Sequence, residues 1–311
     1  MKSLIESNGT VATGQDRYDK LGAMTDNEIL GNEELPLPDE VIKARKEREI
    51  GKDLSDFTPK MELGTESFYF PSKNLLYGED FDGHFNLRMF TTKEERIRLS
   101  STAGFLETMV SILNNCISTS NGTVIDTKLL TEFDFIYLMY KARIVSYGPK
   151  YPITVRCPNC GKTFRYVADL DELETVYLDD DFKEPFTIGP LPKSGDILEM
   201  RFLRVYDRME VDKEAKEILA KNPDYQGDPA YNGNIERRIV TVNGKTMGDL
   251  EKKYYVENLS AFDNQYIMYK LGKVANAGIN ISINVECAEC TEQFPVDLSV
   301  TSTFFRPEFD D

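Results

Sequence analysis

The sequence predicts an α+β protein in which helices alternate with short antiparallel strands, and two pseudo-repeated helix-plus-Cys-knuckle units are joined at one four-cysteine site. Three observations lead there. Short runs alternate apolar and polar residues between turn signals, longer runs place apolar residues three and four apart behind capping residues, and two Cys-x-x-Cys pairs each sit between strand-like stretches.

The first 63 residues contain the Pro-punctuated, charge-rich run NEELPLPDEVIKARKEREIGKDLSD, in which only Asp39 to Ile50 has a helical pattern. This region is expected to be an extended or partly disordered arm, either solvated or folded along a neighbouring subunit. Regular structure is expected to start with ESFYFPSKNLLYG and FNLRMF, where Phe85, Leu87 and Met89 share one strand face. In TTKEERIRL, Thr91 with Glu94 or Thr92 with Glu95 forms a capping box. The helix should run to about Cys116 with a break near Ser100 to Ala103, placing Cys116 on its apolar face. Thr131 caps a second helix that Gly148 ends, and Tyr151 to Val155 alternate as a strand leading into Cys157. These elements make a first unit over residues 64–175. A second unit over 176–311 is expected to hold a strand near Leu198 to Leu203, a helix near Met209 to Ala220, a polar loop through NPDYQGDPAYNGN, a hairpin at Asn243-Gly244 and further helices.

The two units look duplicated. TEFDFIYLMYK from residue 131 aligns with SAFDNQYIMYK from residue 260 with six identities in eleven positions, and both cysteine pairs coincide once the offset shifts by one residue to 130. The shared Phe, Tyr and Met positions recur at helical spacing, so Met139, Tyr140, Met268 and Tyr269 are expected in the core, the alternative being a partner-binding stripe. Asp134 and Asp263 fall at the third helical position, where a carboxylate caps the helix. A looser match, LRMF at 87 with MRFL at 200, extends the repeat upstream.

Cys157, Cys160, Cys287 and Cys290 occur in ITVRCPNCGKTFRYV and INVECAECTEQFPVDL. This is the arrangement of a zinc ribbon, in which two hairpin knuckles hold one structural zinc ion by four thiolates. The alternatives are a pair of redox dithiols, a rubredoxin-like iron site and four metal-free buried thiols; strands on both sides of each pair argue against the redox motif, which opens a helix. Gly161 suits a tight knuckle, whereas Thr291 in the matching place predicts a less regular turn. With four sulfurs bound, no open coordination position remains for chemistry.

Composition narrows the function. Lys plus Arg number 37 against 53 Asp plus Glu, a net charge of −16, which disfavours binding to a phosphate backbone. There is no apolar run of membrane-spanning length and no secretory signal pattern at the N-terminus, so neither a membrane nor export is expected, and a reducing compartment is. The one histidine, His84, lies at a strand lip and is not expected to be catalytic. Gly244-Lys245-Thr246 resembles the end of a phosphate-binding loop, but Ile239 stands where its first glycine belongs. The acidic run LDDDFKE at 178–184 reads as a solvated loop with cation binding as its alternative. No enzyme is expected.

YFPSKNLLYG, KEER, EFDFIYLMYKARIVSYG, CPNC, AFDNQYIMYK, CAEC and the terminal TSTFF together resemble the baseplate hub protein family of T-even-type contractile-tailed phages over roughly residues 65–306. The resemblance implies a non-catalytic structural component of the tail baseplate, a virion protein assembled in the host cytoplasm. It would be present in several copies, with other tail proteins as partners. Two other functions remain open at this point: an assembly chaperone absent from the mature virion, and a cytosolic zinc-ribbon adaptor. Phe304-Phe305 are expected to be the last core residues rather than a hook into a neighbour.

Overall fold

The computed structural model describes residues 64–78, 81–274, 276–301 and 303–307, so the expected N-terminal arm lies outside the described residues. In chain order the first part holds β1 (Thr65–Tyr69), β2 (His84–Arg88), α1 (Thr92–Ser100), α2 (Phe105–Leu113), β3 (Ile117–Thr119), α3 (Glu132–Tyr147), β4 (Lys150–Arg156), β5 (Thr163–Asp169) and β6 (Thr175–Val176). There follow β7 (Phe186–Ile188), β8 (Leu198–Met200), α4 (Val205–Lys221), α5 (Ala230–Glu236), β9 (Ile239–Val242), β10 (Lys245–Thr246), α6 (Asp249–Glu257), α7 (Ala261–Val274), β11 (Gly278–Ile279), β12 (Ser282–Glu286) and β13 (Gln293–Asp297). The strands form sheets β1-β2-β3 and β10-β9-β8-β7 and the ribbons β4-β5, β12-β13 and β6-β11, antiparallel throughout among the described residues. The fold is α+β, as the alternating patterns predict.

Local signals place these elements. The Thr91 and Glu94 side chains form the capping box of α1, and Thr131 Oγ1 accepts from the Asp134 N–H at the start of α3. Gly148, at φ +81°, ends α3 in a conformation that L side chains rarely adopt. Asn243 and Gly244, at φ +50° and +74°, make the tight turn between β9 and β10, so this segment is a hairpin and not a phosphate loop.

Burial then gathers the elements around two large cores. Phe85 and Leu87 from the first sheet and Phe70 just after β1 meet Ile112, Leu138 and Tyr140, and Leu298, Phe304 and Phe305 close over them. The second core joins Ile188, Leu198 and Met200 of the four-stranded sheet to Ile239, Val256, Ile267 and Leu271. Phe304 and Phe305 are core residues, as expected.

The duplication extends further than the helices and knuckles show by sequence. Arg88, in the loosely matching LRMF, donates to both carboxylate oxygens of Glu94 and to the Met89 carbonyl oxygen. Arg201, in MRFL, does the same with Asp207 and Phe202. Each acid also accepts from the backbone N–H at its own helix cap, Thr91 or Arg204, at 2.8 Å. A strand end is thereby locked to a helix start by the same fork in both copies. The two buried aspartates repeat as well: Asp134 accepts from the Ser72 N–H at 3.1 Å, and Asp263 from the Lys193 and Ser194 N–H groups at 2.7 and 3.0 Å. Each of the duplicate helices α3 and α7 therefore grips a Pro-containing loop, Pro71-Ser72 in one case and Pro192-Lys193 in the other.

Glu94 makes the first fork measurable. Burial pushes its carboxyl upward, but the hydrogen bonds from Arg88 and Thr91 outweigh that and hold it at about 2. A carboxyl held below its unfolded value contributes stability that is complete above about pH 4.5 and disappears as pH falls toward 2. That contribution amounts to about 3 kcal/mol. Urea unfolding from pH 7 to pH 3 should show this loss in the parent protein, and Glu94→Gln should be weakened at pH 7 and flatter across the acid range.

Several expectations are corrected. The first helix region stops at Leu113, so Cys116 lies in the turn before β3 rather than on a helix face, though it is buried there. The strand expected to reach Leu203 ends at Met200, because Arg201 turns to hold Asp207 and the chain enters α4 at Val205. The polar loop at NPDYQGDPAYNGN ends in α5, where Ala230 and Ile235 are buried against neighbouring elements despite an unfavourable Asn-Gly-Asn composition. Most consequentially, the core expectation holds for Met139 and Tyr140 on α3 but fails on α7, where Phe262, Met268 and Tyr269 are exposed.

Candidate metal centre

The two cysteine pairs sit at the tips of equivalent hairpins. In the β4-β5 ribbon Val155 faces Phe164, and in β12-β13 Val285 faces Phe294. These four side chains, with Cys157 and Cys287, form a third small core between the ribbons. The strands bring their apolar faces together, and that packing sets the sulfurs side by side.

The knuckle backbones match hydrogen bond for hydrogen bond. Cys157 N–H donates to the Lys162 carbonyl and Gly161 N–H to the Cys157 carbonyl, at 2.9 and 3.0 Å. Cys287 N–H and Thr291 N–H make the corresponding bonds to Glu292 and Cys287, both at 2.9 Å. The expectation of a less regular second turn is therefore wrong: Thr291 takes up the left-handed conformation at φ +57°, where Gly161 has +73°. A β-branched residue in that region is strained by roughly 1–2 kcal/mol. Thr291→Gly should accordingly raise stability by about 0.5–1 kcal/mol, read as a shift in the urea midpoint with unchanged metal content.

The sulfurs lie across the pseudo-repeat. Cys157 Sγ is 3.6 Å from Cys290 Sγ and Cys160 Sγ is 3.7 Å from Cys287 Sγ, with all four within 4.8 Å of one another. Tetrahedral coordination at about 2.3 Å to sulfur requires sulfur–sulfur edges of about 3.8 Å. The cluster is thus already close to the size that such an ion needs, and among the described residues no other group of three or more His, Cys, Asp or Glu is so placed. The leading cysteine of each pair, Cys157 and Cys287, is buried, and the trailing ones are more open.

Electrostatics point the same way. Backbone N–H groups of Cys290 and Glu289 draw the Cys287 thiol down to about 7. Cys160 behaves oppositely: the Lys162 N–H lowers it, but desolvation and the three neighbouring sulfurs outweigh that and push it to about 12. Four thiolates cannot all ionise at this separation without a cation among them. Lys162 forms an ion pair with Glu289 across the knuckles, and Asn159 Nδ2 donates to Cys290 Sγ at 3.8 Å. Both partners of the ion pair are half-exposed, so it aligns the tips more than it stabilises them. Neither contact was legible in the sequence, which does not reveal which side of each knuckle faces the other.

The remaining candidates carry no chemistry of this kind. His84 is exposed at the start of β2 with its ring 4.5 Å from that of Tyr69. Asp180 of the acidic run pairs with Lys73. The Cys116 thiol is pushed to about 12 by burial, which makes it inert. No described helix is long and apolar enough to cross a membrane.

These features define an α+β protein whose repeated halves meet at a four-thiol cluster able to hold a metal ion. A family model described as T4 bacteriophage base plate protein matches residues 73–306, about three quarters of the chain, and the chain belongs to that family. No curated protein and no solved structure matches it.

Proposed function

We infer that the chain is a non-catalytic structural subunit of a contractile phage tail baseplate, placed in its hub, and that one zinc ion bound by Cys157, Cys160, Cys287 and Cys290 staples its two halves. Family membership is the observation that carries the baseplate assignment. The zinc reading rests on sulfur separations of 3.6 and 3.7 Å in a set of four thiols, the donor chemistry that structural zinc takes. A set of four sulfurs leaves no position for a metal-bound water, which favours a structural over a hydrolytic role.

The halves are assigned to residues 64–175 and 176–311, with residues 1–63 as an arm toward a neighbour. The repeated Arg–acid forks and matched knuckles support this division. The C-terminal residues Leu298, Phe304 and Phe305 cross into the first core, so the halves are interlocked and not merely adjacent. Assembly takes place in the host cytoplasm, in several copies, through contacts with other tail proteins. Mass spectrometry of purified particles is the test: the chain should be present in tails, and its presence in infected lysate but absence from mature particles would replace this function with that of an assembly factor.

A further inference from the structure

Helix α7 presents a face that its duplicate keeps covered. Phe262, Tyr266 and Tyr269 follow at spacings of four and three, so they form one stripe that Lys273 continues. Ile267 and Leu271 on the other side are buried in the second core. Phe262 and Tyr269 are 60% and 57% exposed. On α3 the matching rings are packed: Phe133 lies edge-on to Phe202 with centroids 5.2 Å apart, and Tyr137 is buried. Tyr140 is sealed by Phe304, and its hydroxyl donates to the Leu298 carbonyl oxygen. Phe262 and Tyr269 are thus open where Phe133 and Tyr140 are packed, while Tyr266 is half-buried against the second core.

Charge says what kind of segment fits. Lys193, Lys270 and Lys273 hold their ammonium groups 5.6, 5.4 and 4.7 Å from the ring centroids of Phe262, Tyr266 and Tyr269. Among the described residues none of the three forms an ion pair with a carboxylate. On a chain of net charge −16 this is a local reversal of sign. Lys193 also borders an open groove of about 710 Å³, but Asp196, Glu251 and Asp263 line that groove, so the positive charge belongs to the α7 stripe and not to the groove. Two copies of so acidic a chain repel, which disfavours self-pairing.

We propose that the α7 stripe docks a segment of a different tail protein that carries apolar or aromatic side chains among carboxylates. The rings receive its apolar groups, and the three ammonium groups pair with its carboxylates. This rests on the chain acting in the baseplate. The test is Tyr269→p-benzoylphenylalanine photocrosslinking in infected cells, with the crosslinked peptide sequenced and the chain's presence in purified particles measured separately. The expected product joins α7 to an acidic, apolar peptide of another tail protein, and its yield should fall at least tenfold in the Lys270→Glu/Lys273→Glu variant with an unchanged thermal midpoint. No crosslink, a crosslink to a second copy or to a peptide without carboxylates, or a yield that charge reversal leaves intact would overturn the proposal. A crosslink to such a tail-protein peptide from a chain missing in mature particles would uphold the docking surface and refute the structural-subunit reading instead.

Discussion

Replacing Cys287 with serine is expected to remove most of the stability of the described fold. Cys287 is fully buried in the small core between the hairpins, so its loss removes one of the four thiols proposed to hold the metal and disturbs the Val155, Val285 and Phe294 packing at once. Structural zinc contributes on the order of 10–16 kcal/mol in finger peptides, as large as the whole net stability of a typical domain at about 5–15 kcal/mol. Cooperative unfolding, followed by circular dichroism with metal content measured in parallel, should therefore be lost or shifted by many degrees in Cys287→Ser. The comparison variant is Cys116→Ala, a buried thiol outside the cluster, which should cost only about 1 kcal/mol. Equal effects from the two substitutions would mean that Cys287 matters only as a core residue.

The second large effect is expected at Arg143, which lies on α3 and is 1% exposed. Its guanidinium donates to the carbonyl oxygens of Phe304, Gly148 and Lys150, at 3.0, 2.7 and 3.1 Å. It therefore ties together the end of its own helix, the first strand of the knuckle ribbon and the C-terminal segment. Hydrogen bonds from a charged donor are worth about 1.5–3 kcal/mol each, and a buried carbonyl left without a donor costs about 1–3 kcal/mol. Arg143→Met keeps much of the packing volume and removes the donors; with partial relaxation and water entry it should cost about 3–5 kcal/mol. The urea midpoint reads that loss, and limited proteolysis should show the C-terminal segment cut first. A stable variant with an intact C-terminus would show that the three carbonyls find water without penalty.

Much of this molecule was legible locally. Thr131 and Gly148 bracket α3 because a hydroxyl cap and a left-handed glycine act within one turn of the chain. The hairpin at Asn243-Gly244 and the four-cysteine cluster were readable for the same reason: turn geometry and knuckle spacing are short-range properties. The failures are tertiary. Asp134 was identified as a capping residue, but its bond to the Ser72 N–H reaches across 62 positions. The strain at Thr291 was missed because the hydrogen bonds that fix the knuckle override the residue's own preference. Tyr269 was expected in the core because its sequence context copies that of Tyr140; what differs is that Leu298, Phe304 and Phe305 pack into the core on the α3 side, whereas Tyr269 stays exposed. A repeated sequence predicts a repeated backbone, but burial depends on what the rest of the chain brings to each copy.

The claim that one metal ion joins the two halves is tested most directly by hydrogen exchange of the intact chain before and after chelation, with bound metal quantified in the same samples. The account predicts one zinc ion per chain and, on its removal, simultaneous loss of amide protection in the β4-β5 and β12-β13 hairpins, both restored by zinc. Purified chain without bound metal, or chelation that loosens one hairpin and leaves the other protected, would contradict it.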